Sequence, residues 1–180
     1  MEGLSGDSHL LGGPGIDSLR GSTVGQSTIA GGPGQDIITF PNQNVQNTID
    51  LTDQATTTSR DTITGYVGAN AATKQADSFD LIQINDGAFP NYTAGATVQQ
   101  KTIIEAGAST SMANILIVGL DAEIKKQVFP NGNQGLLAFA TDTSKLVYAP
   151  AGNFTANTQE LLQLDSNIFS ASDQIKVIDA

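Results

Sequence analysis

Apolar side chains return at nearly constant spacing through the first forty residues, at Leu10, Leu19, Ile29 and Ile38. Between them lie glycine-rich polar segments, and the stretch divides into four turns: Gly3–Leu11 (GLSGDSHLL), Gly12–Arg20 (GGPGIDSLR), Gly21–Ala30 (GSTVGQSTIA) and Gly31–Thr39 (GGPGQDIIT). A period of nine or ten residues is too short for a helical repeat, which needs two helices and a turn, but it suffices for one tight turn and one short strand. The pattern predicts a parallel β-roll over residues 1–40. Glycines at Gly12, Gly13, Gly15, Gly31, Gly32 and Gly34 allow sharp turning with carbonyl oxygens aimed inward.

Beyond Phe40 the pattern changes. Residues 41–60 are polar with one apolar alternation, Ile49 and Leu51, which predicts a loop carrying one short strand. From Ala88 onward, short apolar runs broken by Gly, Asn and Asp predict antiparallel strands, with Lys101–Glu105 (KTIIE) and Ala113–Leu120 (ANILIVGL) as candidates. The second is apolar at successive positions, as in a strand buried on both faces. Asp121–Phe129 (DAEIKKQVF) reads as a short helix begun by a capping Asp121 and stopped at Pro130-Asn131-Gly132. Gly135–Pro150 reads as a hairpin with strands Leu136–Ala140 and Leu146–Ala149. Glu160–Leu164 reads as a strand, with a single amphipathic helical turn as the alternative.

Composition sharpens the fold class. Charged residues make up only 14% of the chain, so Thr, Ser, Asn and Gln must cover much of the surface, which suits strands better than exposed helices. The expectation is an all-β protein. Eighteen acidic against eight basic residues give a formal charge of −10, which disfavours nucleic acid and anionic membranes as partners and suits a cation. There is no cysteine, and no apolar run of about eighteen residues that could cross a membrane as a helix.

The turns GGPGIDSLR and GGPGQDIIT resemble the RTX nonapeptide, GGxGxDx(apolar)x, of calcium-binding proteins exported by bacterial type I secretion. The resemblance implies that calcium sits between a turn and the next but one, held by loop carbonyls and by the aspartate at repeat position six. It therefore implies one Ca²⁺ shared by Asp17 and Asp36, with carbonyls of Gly12, Pro14, Gly31 and Pro33 among the other ligands. Ser8 and Ser27 stand at position six of the other two turns, and turn three has an extra residue at or near Val24, so calcium is not implied on that side. An oxygen-only donor set is what Ca²⁺ prefers. Asp50, Asp53 and Asp61 could form a second oxygen site, but scattered aspartates are more often solvated loop residues.

Asp61–Ile84 resembles the segment after the last repeat in serralysin-type and cyanobacterial exported proteins. Asp61, Ile63 and Tyr66, and then Asp80, Leu81, Ile82 and Ile84, would form strands packing over the last turn of the roll. Leu137, Phe139, Leu146, Tyr148, Leu161, Leu164, Ala171, Ser172, Asp173, Val177 and Ile178 match the phase of RTX C-terminal domains. The organisation expected is a roll over 1–40, linking and capping strands over 41–87, and an antiparallel C-terminal part over 88–180 that carries an uncleaved export signal in Ser172–Ala180.

No catalytic constellation is visible: His9 is the only histidine, and neither HExxH nor GxSxG occurs. GGPG is not followed by GK[ST], which argues against a phosphate loop. The reading is a secreted, non-enzymatic calcium-binding structural protein, extracellular or attached to the cell surface. Its partners would be the type I machinery, itself, or cell-surface polysaccharide. The alternative is the non-catalytic calcium-binding and export domain of a larger secreted hydrolase, toxin or adhesin. Because Gly3 already belongs to the first turn, with Leu4, Leu10 and Leu11 near the end of the roll, head-to-tail self-association is a further expectation.

Overall fold

The computed structural model describes residues 1–3, 5–52, 60–68, 80–102, 113–127, 135–150, 152–155, 158–165 and 175–180. The fold is all-β, as expected. Its strands are β1 (Ser8–Leu11), β2 (Ser18–Arg20), β3 (Ser27–Ala30), β4 (Ile37–Thr39), β5 (Thr48–Asp50), β6 (Asp61–Thr64), β7 (Leu81–Asn85), β8 (Gln99–Thr102), β9 (Ile115–Gly119), β10 (Leu136–Ala140), β11 (Lys145–Ala149), β12 (Gln159–Leu164) and β13 (Ile175–Ile178). They form a five-stranded sheet in the order β1-β3-β5-β7-β13 and an eight-stranded sheet in the order β2-β4-β6-β12-β11-β10-β9-β8. Consecutive strands through β7 alternate between the two sheets, which makes the N-terminal part a parallel roll.

Each sheet sends one column of side chains inward, because alternate residues of a strand face opposite ways. In the five-stranded sheet the column is Leu10, Ile29, Ile49, Ile82 and Ile175, paired in register rung by rung. Opposite it run Leu19, Ile38, Ile63 and Leu164. All nine are buried in one core. Many of the outward residues between them are threonines, Thr28, Thr48, Thr39, Thr62 and Thr64 among them, while Leu11 and Ile37 are exposed apolar exceptions.

The roll extends beyond the four turns that the repeat predicts. β6 lies beside β4 with Ile63 opposite Ile38, and β7 beside β5 with Ile82 opposite Ile49, so the strands expected to cap the roll are instead further rungs of it. β12 and β13 then add in parallel to β6 and β7. The extra residue of turn three does not disturb the register: Ser22 Oγ accepts from the N–H groups of Val24 (3.1 Å) and Gly25 (3.0 Å), forming a local bulge with Val24 exposed.

The expectation of antiparallel strands after Ala88 holds only in part. β10–β11 is the expected hairpin and β11–β12 is antiparallel, but β8, β9 and β10 run parallel to one another. Of these, β9 and β10 are buried on both faces, consistent with the continuous apolar run of β9. One face joins the roll core; the other packs Ile117, Leu136, Ala138 and Val147 against Ile124 and Phe154. Tyr92 ties this part together. Its buried hydroxyl donates to the Ile115 carbonyl (2.6 Å) and accepts from Leu137 N–H (2.9 Å), bridging β9 and β10, and burial pushes its ionisation far above the usual phenol range.

The predicted helix is shorter than its pattern, and its cap is different. α1 spans Asp121–Ile124, with Leu120 at the N-cap and no side-chain cap. Asp121 lies inside the helix and accepts from Lys125 Nζ at 2.6 Å. Phe154 N–H takes the Gln127 carbonyl, which directs the chain out of the helix. Residues 103–105 of the first strand candidate, and 128–129 of the helix candidate, lie outside the described residues. Glu160–Leu164 is strand, within β12.

The N-terminal end of the roll is also less open than its sequence implies. Met1 N–H₃⁺ donates to the Ser18 carbonyl, Arg20 N–H to the Met1 carbonyl, and Gly3 N–H to the Arg20 carbonyl, covering the outer side of β2. Leu10 is buried, Leu11 is exposed, and Leu4 lies outside the described residues.

Candidate metal centre

The turns of a roll stack along its two edges, and here the edges differ chemically. The turn from β1 to β2 contains Gly12, Pro14 and Asp17; the turn from β3 to β4 contains Gly31, Pro33 and Asp36. These stack directly, since Gly13 N–H donates to the Gly31 carbonyl (3.1 Å) and Gly15 N–H to the Pro33 carbonyl (2.9 Å). Gly13 and Gly32 hold φ of 95° and 90°, a region that side-chain-bearing residues resist, so the double glycine is what allows this turn.

Asp17 and Asp36 are brought together as the repeat implies. Asp17 N–H donates to Asp36 Oδ1 at 2.7 Å. The structure adds a third member that the motif did not indicate: Asp36 N–H donates to Asp61 Oδ1 at 3.0 Å. Asp36 and Asp61 are fully buried and Asp17 is partly so. Asp61 reaches this edge because β6 pairs in register with β4, although no glycine turn precedes it. Asp50, grouped with it by sequence, goes elsewhere, accepting from Thr52 N–H and Gln83 Nε2. Asp53 lies outside the described residues.

The second carboxylate oxygens turn back toward the glycines five residues upstream. A methyl group at Gly12 would collide with the Gly31 carbonyl oxygen and come 2.9 Å from Asp17 Oδ2. One at Gly31 would collide with Asp36 Oδ2 and come 2.9 Å from Asp61 Oδ2. Both positions thus lie against converging oxygens, in space that only glycine leaves. The four expected carbonyl ligands belong to these turns; those of Gly31 and Pro33 each accept one N–H, and a carbonyl oxygen has a second lone pair to offer. Among the described residues no three acidic or histidine side chains converge on a metal position by themselves, so an ion here needs backbone carbonyls as ligands. The donor set of two or three carboxylates plus carbonyls fits Ca²⁺.

The opposite edge is built on the same plan with other residues. Position six is held in turn by Ser8, Ser27, Asn47 and Asp80. Ser8 Oγ donates to Ser27 Oγ (3.0 Å), Ser27 N–H to Asn47 Oδ1 (3.1 Å), and Asn47 N–H to Asp80 Oδ1 (2.8 Å). Asp80 Oδ2 accepts from Val67 N–H at 2.7 Å. Ser27, Asn47 and Asp80 are buried. His9 is exposed on β1. Comparison with family models, with curated proteins and with solved structures returns no match.

Proposed function

We propose that this chain is a calcium-binding structural module of the RTX class, exported from the cell, in which Asp17, Asp36 and the carbonyls of Gly12, Pro14, Gly31 and Pro33 hold one Ca²⁺. The observation that supports it most directly is the stacking of the two glycine turns, with buried carboxylate oxygens converging on positions too tight for a Cβ. Carboxylates stacked at strand spacing in a poorly solvated edge repel one another, and a divalent cation removes that cost. When bound, calcium would supply positive charge and cross-link two turns that the chain also joins by backbone bonds and by the bond from Asp17 N–H to Asp36 Oδ1. The role is structural: a roll stiffened by metal, suited to a surface or matrix component.

Calorimetric titration tests the site. Wild-type protein is expected to bind calcium, and the double variant Asp17→Ala/Asp36→Ala to lose that binding. Unchanged binding in the double variant would refute the register proposed here. Export is tested by co-expression of the chain with a type I secretion apparatus, where retention inside the cell would count against it. Deleting residues 160–180 is unsuitable for this purpose, because β12 and β13 are rungs of the two sheets and their removal would unfold the protein.

A further inference from the structure

On the Ser/Asn edge, Asn47 stands where Asp36 stands on the acidic edge, and the correspondence extends to single atoms. Oδ1 of each accepts the backbone N–H of the position-six residue one rung earlier, Asp17 in one case and Ser27 in the other. The backbone N–H of each donates to the carboxylate one rung later, Asp61 or Asp80. The residue five positions upstream, Gly31 or Asn42, faces the remaining δ2 atom in both. The difference is that δ2 atom. In Asp36 it is an oxygen turned toward Gly31; in Asn47 it is a nitrogen, donating to the Asn42 carbonyl at 3.1 Å and to Asp80 Oδ1 at 3.0 Å. Its identity is fixed by the network: the other δ atom accepts a backbone N–H and must be the oxygen, which leaves the NH₂ to face two acceptors.

We infer that the Asn47 amide takes the place of a cation on this edge, closing it without metal, and that the single change Asn47→Asp would make the edge calcium-dependent. An NH₂ group bridging a carbonyl and a carboxylate does electrostatically, with partial positive charge, what an ion would do between the same oxygens. An aspartate at 47 keeps the Ser27 bond but sets an oxygen against Asn42 O and Asp80 Oδ1. Three oxygens then converge within a buried site, which is unfavourable when empty and is the donor type that Ca²⁺ takes up. The inference builds on the calcium reading of the acidic edge for its analogy, but the bridging amide stands on its own contacts.

The test compares wild type, Asn47→Asp and Asn47→Ser, all purified in calcium, by amide hydrogen exchange and thermal unfolding in EGTA and in millimolar calcium. In wild type, the amides of Ser27, Asn47 and Val67 should keep their protection in EGTA. In Asn47→Asp they should lose about tenfold or more in EGTA, as expected for an unpaired buried charge, and regain it in calcium, with one more calcium bound per chain than in wild type. Asn47→Ser, which brings no second carboxylate, should lose stability that calcium does not restore. The inference is overturned if Asn47→Asp matches wild type in EGTA, or if it stays unprotected or unfolded in calcium. A wild-type chain that binds no calcium refutes the proposed function alone, and loss of protection in Asn47→Asp in EGTA would still support the amide as the group that closes this edge.

Discussion

The two edges of the roll share one backbone plan and solve the same electrostatic problem by different means. On one, Asp17, Asp36 and Asp61 are stacked through N–H···Oδ1 bonds and leave further carboxylate oxygens facing glycines. On the other, Ser8, Ser27 and Asn47 stand in the ladder before the carboxylate of Asp80, and hydroxyl and amide groups donate to the oxygens nearby. Buried polar atoms need partners, but the partner can be a proton donor within the chain or an ion from solution. On the calcium reading proposed above, the edge that supplies its own side-chain donors should hold whatever the calcium concentration, and the carboxylate edge should respond to it. The comparison teaches that the two sides of a roll can differ in chemistry independently, because the turns on each edge stack with one another and not across the core.

The interior is common to both edges, so the largest expected effect is one that ignores the comparison. Ile63→Ala, at a position with 0% exposure in the middle of the inward column, should cost about 2–5 kcal/mol. Urea unfolding should give the same loss in calcium and in EGTA; a loss confined to one condition would mean that core and edge are not separable.

Calcium removal should come next, and should divide the edges. At a hundredfold excess over Kd the ion would contribute about 2.7 kcal/mol by mass action. Amide exchange should show the Asp17 and Asp36 N–H groups deprotected in EGTA while Ser27 and Asn47 are unchanged. Equal deprotection on both sides would break the comparison.

A smaller and more pointed pair is Gly31→Ala against Gly21→Ala. A methyl at Gly31 would collide with Asp36 Oδ2, and one at Gly21 would come 2.5 Å from Ser27 Oγ, so each should cost about 1–3 kcal/mol by overpacking. Titration should show weakened calcium binding only in Gly31→Ala. If Gly21→Ala weakens it as much, calcium is not confined to the acidic edge.

The smallest effect concerns Glu160, which accepts from Lys145 Nζ and from Arg60 Nη1, both at 2.8 Å. The hydrogen bond from Lys145, and then that from Arg60, holds its carboxyl below the usual range. With a folded pKa lower than the unfolded one, this contribution is present above the ordinary glutamate pKa, near 4.5, and is lost as pH falls through the folded value. With side chains about a third exposed, screening limits it to about 0.2–1 kcal/mol. Glu160→Gln should therefore lower the melting temperature slightly at pH 7, and by progressively less as pH falls below about 4.5. Since Arg60 precedes Asp61, any accompanying change in amide exchange should appear at Asp36 and not at Asn47.

Much of the site could be read from the chain, because its signal is local. Glycines at fixed places and an aspartate five residues after Gly12 and Gly31 specify a turn that bends backbone and carboxylate toward each other, and no distant residue is needed to see it. Asp61 escaped that reading because its turn has none of the glycine signature; it joins the edge through strand pairing alone. The same holds for Asn47, which carries its own part of the opposite ladder without resembling the repeat.

By itself, then, the sequence determined an all-β chain, a roll with an inward column at Leu10, Leu19, Ile29 and Ile38, a hairpin over Leu136–Ala149, and an acidic pair at Asp17 and Asp36. Only the tertiary structure decided how far the roll runs, that Ile82 meets Ile175 and Ile63 meets Leu164, and that Asp61 and Asn47 join the ladders on its two edges. The physical reason is that a period is visible only while turn length is constant. Closing a longer loop costs little extra entropy, so β6, β7, β12 and β13 can join the same two sheets after connections of any length, held by burial and backbone pairing that leave no spacing to read.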